Sequence, residues 1–135
     1  MSYNVVGILK ECLRDFGRDD LVVDNLDNHS TITIDIDKRP SINITDQDGT
    51  IMLWATVAEY NEYTLGQVSG PLLTWQVEAS YPQFSIGQPA LCKGEANLEL
   101  CAALQPSCFD SKENFSAALE HFFNHLVFVH DLLHN

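Results

Sequence analysis

Residues 26–57 read LDNHSTITIDIDKRPSINITDQDGTIMLWATV, and their spacing decides the fold. Ile32, Ile34 and Ile36 alternate with Thr31, Thr33, Asp35 and Asp37. Ile42 and Ile44 alternate with Ser41, Asn43 and Thr45. Ile51, Leu53, Ala55 and Val57 alternate with Met52, Trp54 and Thr56. An apolar residue at every second position marks a strand with one buried face, because successive side chains point to opposite sides of the pleat. Asp48-Gly49 supplies the turn between the second and third runs, since both residues tolerate the positive φ of a type I′ hairpin. The stretch predicts a three-stranded antiparallel meander.

Upstream, residues 3–16 predict an amphipathic helix. Val5, Ile8, Leu9, Cys12, Leu13 and Phe16 recur at helical spacing, with Ser2 as cap and Gly17 as terminator. An acidic, turn-rich connection, RDDLVVDNLDNHS, leads from this helix to the meander. Downstream, Leu72, Leu73, Trp75 and Val77 predict a short helix with Pro71 in its first turn, where the missing N–H costs little. Gly66 and Gly70 weaken any longer helix. Pro82 and Pro89 bracket a strand expected at 83–87. Residues 90–93 and 98–104 form the arms of a hairpin around Gly94-Glu95-Ala96-Asn97, with Leu98, Leu100, Ala102 and Leu104 on one face.

The clearest helix comes last. Asp110 or Ser111 caps it, and Asp110 with Glu113 resembles a capping box. Phe115, Leu119, Phe122, Leu126, Val129 and Leu133 make one apolar stripe. The order is α-β-β-β-α-β-β-α, which is an α+β class with helices packed on an antiparallel sheet. The 135 residues suit one domain, residues 1–135.

Seven Lys and Arg face nineteen Asp and Glu, a net charge of -12. Phosphates demand Lys and Arg, so nucleic acid is an unfavourable partner, and anionic membranes are for the same reason. The acidity either keeps the protein soluble or selects a neutral or basic partner. No run of eighteen apolar residues is present, so no membrane insertion is expected. MSYNVVGILKEC has neither a basic start nor a long apolar stretch and does not read as a signal peptide. Cys12, Cys92, Cys101 and Cys108 form no Cys-x-x-Cys pair and read as reduced cytosolic thiols, with Cys92 and Cys101 neighbours across a hairpin.

Chemistry-bearing patterns are weak. His121 and His125 are four apart, as are His130 and His134, and such pairs can share a metal. HFFNH lacks the Glu of the HExxH pattern and no third ligand is evident, so solvated histidines are expected, with no metal and no cofactor. His29-Ser30 has no GxSxG elbow and reads as a turn cap. Asp35 and Asp37 share a strand face and read as solvating residues. Nothing points to catalysis. Met52 and Trp54 lie on the strand face opposite Leu53 and Ala55, and Trp75 lies beside Leu72 and Leu73. These large groups belong either to the core or to a protein interface.

At Leu26-Asp27, His29-Ser30, TITIDID, Pro40 with SINI, and IMLWA at 51–55, the chain resembles the class I chaperones of bacterial type III secretion, the Tir-chaperone-like family. Within that family it is most similar to the multi-effector branch of surface presentation of antigens protein K and invasion protein InvB. FSAAL and FFNHL, between 115 and 126, resemble the family's final helix. The resemblance implies a cytoplasmic bacterial homodimer without enzymatic activity. It would bind disordered N-terminal segments of secreted effectors and keep them secretion-competent, with the secretion-system ATPase as a further partner. The client would wrap around the dimer, adding a strand to a sheet edge and seating apolar side chains in grooves. The family's second helix serves the dimer interface, which carries over to Leu72, Leu73, Trp75 and Val77. The candidate effector contacts are Val5, Leu9, Ile34, Ile42, Ile44 and Trp54. Gly70-Pro71 interrupts what the family has as a continuous helix. Two alternatives stand beside this reading: a dimeric adaptor for a folded partner, and a small metal-dependent enzyme using the histidine pairs.

Overall fold

The meander forms as the alternation requires. In the computed structural model, which describes residues 3–15, 17–18, 31–87 and 89–134, β1 (Ile32–Ile34), β2 (Ile42–Gln47) and β3 (Thr50–Glu59) are joined antiparallel. Asp48 and Gly49 have φ of 55° and 92°, the two positive values of a type I′ turn, and Gln47 pairs with Thr50 across it. The Asp46 carboxylate accepts the Gly49 N–H at 2.8 Å. The second hairpin, β4 (Ala90–Lys93) and β5 (Asn97–Ala103), places β5 against β3. The five-stranded order is β1-β2-β3-β5-β4. A bulge between Thr56 and Ala58 restores the register after one extra residue.

The register aligns the apolar positions into rungs. Ile32 faces Ile44, Ile44 faces Leu53, and Leu53 faces Ala102. These residues are at most 3% exposed. The helices α1 (Val5–Asp15) and α4 (Lys112–His134) cover this face. From α1 come Val5, Leu9, Cys12 and Leu13. From α4 comes the whole expected stripe, each member no more than 7% exposed. A 23-residue helix runs about 34 Å at 1.5 Å per residue, enough to cross the entire sheet.

The caps differ in part from the sequence reading. Ser2 lies outside the described residues, and the Asn4 side chain accepts the Gly7 N–H at 3.2 Å. Gly17, at φ 69°, ends α1 in a Schellman arrangement, with Arg18 N–H donating to Leu13 O and Gly17 N–H to Arg14 O. Ser111, not Asp110, caps α4, accepting the Asn114 N–H at 3.2 Å. The Asp110–Glu113 capping box is therefore not the one formed.

Two further expectations change between β3 and β4. The second helix is two pieces, α2 (Glu62–Gln67) and α3 (Ser69–Glu78), broken at Val68. Asn61 caps α2 by accepting from Tyr63 and Thr64 N–H, but α2 buries no residue. Pro71 does lie in the first turn of α3. Residues 83–87 do not form a strand. Phe84 makes an isolated bridge to Leu104, and a tight turn follows with Ile86 at φ 62° and Gly87 at φ 82°. Tyr81 N–H donates to Gly87 O at 2.6 Å and closes that turn.

All four thiols are free. Burial pushes Cys12 and Cys108 up to about 11. Burial, then the neighbouring Cys92, pushes Cys101 up to about 12. Protonated thiols are poor nucleophiles. The urea midpoint should accordingly be the same with and without reductant, and a marked drop on reduction would reveal a structural disulfide. Phe122 is fully buried on the sheet-facing stripe. Phe122→Ala should cost about 3–5 kcal/mol in urea unfolding, and a loss below about 1 kcal/mol would place α4 elsewhere.

Candidate functional site: an apolar groove beside a sheet edge

The end of α1, the first two strands and the middle of α4 leave a groove of about 340 Å³ where they meet. Leu13, Ile34, Ile36, Ile42, Leu119 and Phe123 line it, with Arg18 and Glu120 as its charged members. Its wall is far more apolar than polar because each element turns part of its core face outward at the junction. Ile36 and Phe123 are half-buried, so the groove holds apolar surface that the other described residues leave open. It opens beside β1, an end strand of the sheet. Among the described residues β1 pairs only with β2. The outer edge of such a strand presents backbone N–H and C=O groups to an incoming strand.

The candidate contacts do not form one surface. Val5, Leu9 and Ile44 are 1–2% exposed and belong to the core, the first two on α1 itself and the third on β2. Ile34 and Ile42 are also buried, yet they form part of the groove lining. Trp54 lies on the opposite sheet face, half-buried, with its indole N–H donating to Thr45 Oγ1 at 3.0 Å. A second cavity there also involves Met52, Glu99 and Cys101. Sequence reasoning missed Ile36, Leu119 and Phe123. Ile36 continues the alternation, Leu119 belongs to the apolar stripe of α4, and Phe123 lies beside that stripe.

The α3 residues divide likewise. Leu72 and Trp75 are 6% and 7% exposed and face the protein's own core. Leu73 and Val77, one turn apart, are 67% and 68% exposed. Leu72 and Trp75 thus support the helix from beneath within the subunit. The outward face is Leu73 and Val77. Trp75 Nε1–H donates to His125 Nδ1 at 2.6 Å, and His125 Nε2 lies 2.9 Å from the Tyr81 hydroxyl. His121 stacks on the Tyr81 ring at 3.9 Å.

These contacts engage the histidines otherwise than as ligands. His134 Nε2 contacts Val57 O, and the His130 ring lies against the His134 ring. Among the described residues no group of three or more His, Cys, Asp or Glu is arranged to hold a metal. His29 and Ser30 lie outside the described residues. Asp35 accepts from Ser41 Oγ at 2.6 Å, and both it and Asp37 are exposed. Among the described residues no helix is long and apolar enough to cross a membrane.

Known proteins share both sequence and fold with this chain. The curated protein named surface presentation of antigens protein SpaK, from Salmonella typhimurium and from Salmonella typhi, is 31% identical over 133 residues, covering 96% of each chain. The crystal structure of the ExsC–ExsE complex contains a chain with the same fold at TM-score 0.63, 18% identical, with 96% of both chains covered. The heterodimeric ExoU–SpcU complex from the type III secretion system of Pseudomonas aeruginosa matches at TM-score 0.59, 17% identical, covering 93% of each chain. YbjN from E. coli, described as a putative transcription regulator, matches at TM-score 0.52, 14% identical, covering 95% of this chain and 87% of YbjN. Structural likeness at such identities establishes the fold alone. The profile of the Invasion protein B family matches residues 17–95, which takes in the meander, both middle helices and the start of the second hairpin. Together with the full-length identity to SpaK, this makes the chain a member of the Invasion protein B family.

Proposed function

We propose that this protein is a cytoplasmic chaperone of bacterial type III secretion. It binds N-terminal segments of secreted effectors, keeps them extended and secretion-competent, and does no chemistry of its own. The carrying observation is the apolar groove beside the β1 edge. A disordered client needs both parts. Ordering its backbone is costly, and main-chain hydrogen bonds at a strand edge offset only part of that cost. Apolar side chains seated in a groove supply the surplus. Family membership and the ExoU–SpcU complex of a type III secretion system, which shares the fold, support the same reading. A folded partner would gain little from a free strand edge, so the adaptor reading is the weaker one.

The working unit in this proposal is a homodimer built on α3. Leu73 and Val77 are 67% and 68% exposed and offer apolar surface to a second copy, and Leu72 and Trp75 hold the helix from beneath. Light scattering should show a dimer for the parent protein and a monomer for Leu73→Asp, because a buried unpaired charge costs about 3–5 kcal/mol. An unchanged dimer would move the interface off α3.

The client site has its own test. Ile36→Asp places a charge in the groove at a half-buried position. It should weaken binding of effector N-terminal peptides at least about thirtyfold, the scale of an interface hot spot. Raising salt from low to physiological levels should change the affinity far less, since the groove is apolar. Loss of binding with salt, and none with Ile36→Asp, would replace the groove by an electrostatic contact.

A further inference from the structure

Trp75, His125 and Tyr81 form a short hydrogen-bonded chain that ties α3 to α4 and to the connection after α3. An indole N–H can only donate, so His125 Nδ1 must accept from it. The imidazole proton then resides on Nε2, which donates to the Tyr81 hydroxyl. The whole chain therefore requires a neutral imidazole in one tautomer. Adding a proton at Nδ1 sets two N–H groups against each other at a separation of 2.6 Å between nitrogens.

We propose that His125 is a positioning residue for α3, holding Trp75 inward and thereby Leu73 and Val77 outward, and that its protonation releases this hold and weakens the dimer. The proposal rests on the reading of α3 as the dimer face. The contacts are compatible with such a switch. Trp75 lies on the inward side of α3, two and two residues away from the exposed Leu73 and Val77. The second residue that anchors α3 on its inner side is Leu72, which is apolar and insensitive to pH. Gln76 Nε2 adds one neutral contact, to Pro89 O at 2.8 Å.

The groups facing His125 set the direction of its titration. From α4, His121 lies one turn before it, and from the connection comes the Tyr81 hydroxyl. From α3 comes the uncharged Trp75. Burial, then the positive charge His121 can acquire, lowers the His125 pKa from the ordinary imidazole value. The neutral form is thus the native one. Its contribution is complete above about pH 6.5, the unfolded value, and is lost as pH falls from there through the lower native value.

The experiment follows Trp75 and the dimer in the same samples of the full chain. Trp54→Phe leaves Trp75 as the only indole. Its indole N–H resonance in a 15N-labelled sample reports the bond to His125. Sedimentation gives the dimer dissociation constant. As pH falls from about 7.5 to below 6.5 and on through the lowered native value of His125, the resonance should shift, and the dissociation constant should rise about fivefold or more along the same curve, the effect of one ordinary hydrogen bond lost. In His125→Asn, whose Oδ1 takes the place of Nδ1 and can still accept from Trp75 but does not titrate, both curves should be flat. An equal pH response of the dimer in His125→Asn overturns the proposal. So does a shifting resonance with a constant dissociation constant. A parent protein that is monomeric at neutral pH, with the resonance still titrating, overturns the α3 interface itself while leaving the Trp75–His125 bond in place.

Discussion

The seating of α4 on one face of the sheet is the contact on which the other features depend. Phe115, Phe122, Leu126 and Val129 are wholly buried along α4. Leu53, Ala55 and Leu100 are wholly buried in the two central strands. The small residues Ala55 and Ala102 on the sheet and Ala118 on α4 keep the layers close without forcing rotamers. Each aromatic ring buried there removes a large apolar area from water, worth roughly 25 cal/mol per Å² before entropy is counted. The strands must alternate because only one of their faces meets this layer.

From that seating follows where the layers fail to close. α4 crosses the whole sheet, but α1 is only eleven residues long and β1 only three. Among the described residues neither covers the groove side of Ile36 and Phe123. The helix α3 is anchored by Leu72 and Trp75 on one side, so its other side projects Leu73 and Val77 by helical geometry alone. A small domain that buries its core well still exposes two apolar faces, and in this fold both lie away from the central strands.

The sequence was legible where one physical rule acted alone. Period-two alternation located β1 to β3 because a single covered face fixes the register. The stripe from Phe115 to Leu133 located α4 because the helix lies on one surface throughout. Residues 60–80 obeyed no such rule: α2 buries nothing, and Gly66 and Gly70 dilute the pattern. Residues 83–87 have strand-like composition, but Ile86 at positive φ and Gly87 turn the chain after one bridge. The site was less legible than the fold. Alternation shows that Ile34, Ile42 and Ile44 share a face. It does not show that Ile44 is closed into the core while Ile34 and Ile42 reach a groove. Leu72 and Leu73 are adjacent apolar letters, and only the packing of α3 on α4 sends one inward and the other out. The Trp75–His125 bond joins positions fifty residues apart and has no local signature.

The fold by itself does not select a function, since YbjN shares it at a comparable level of similarity. What distinguishes the present chain lies in the surfaces the fold leaves over. A net charge of -12 on so small a protein repels acidic chains and nucleic acid over the distances at which encounter occurs. Within the groove, however, the lining is apolar apart from Arg18 and Glu120, so the field that governs approach is not what holds a bound segment. Long-range charge and short-range burial then act at different stages. Charge acts on the rate of encounter and excludes wrong partners, while apolar side chains determine how long a correct one stays. A carrier must hold its client firmly enough to prevent collapse and still release it intact. In the proposed mode, affinity spread over an edge strand and a groove meets that requirement, because each part can be peeled away in turn without unfolding the core beneath it.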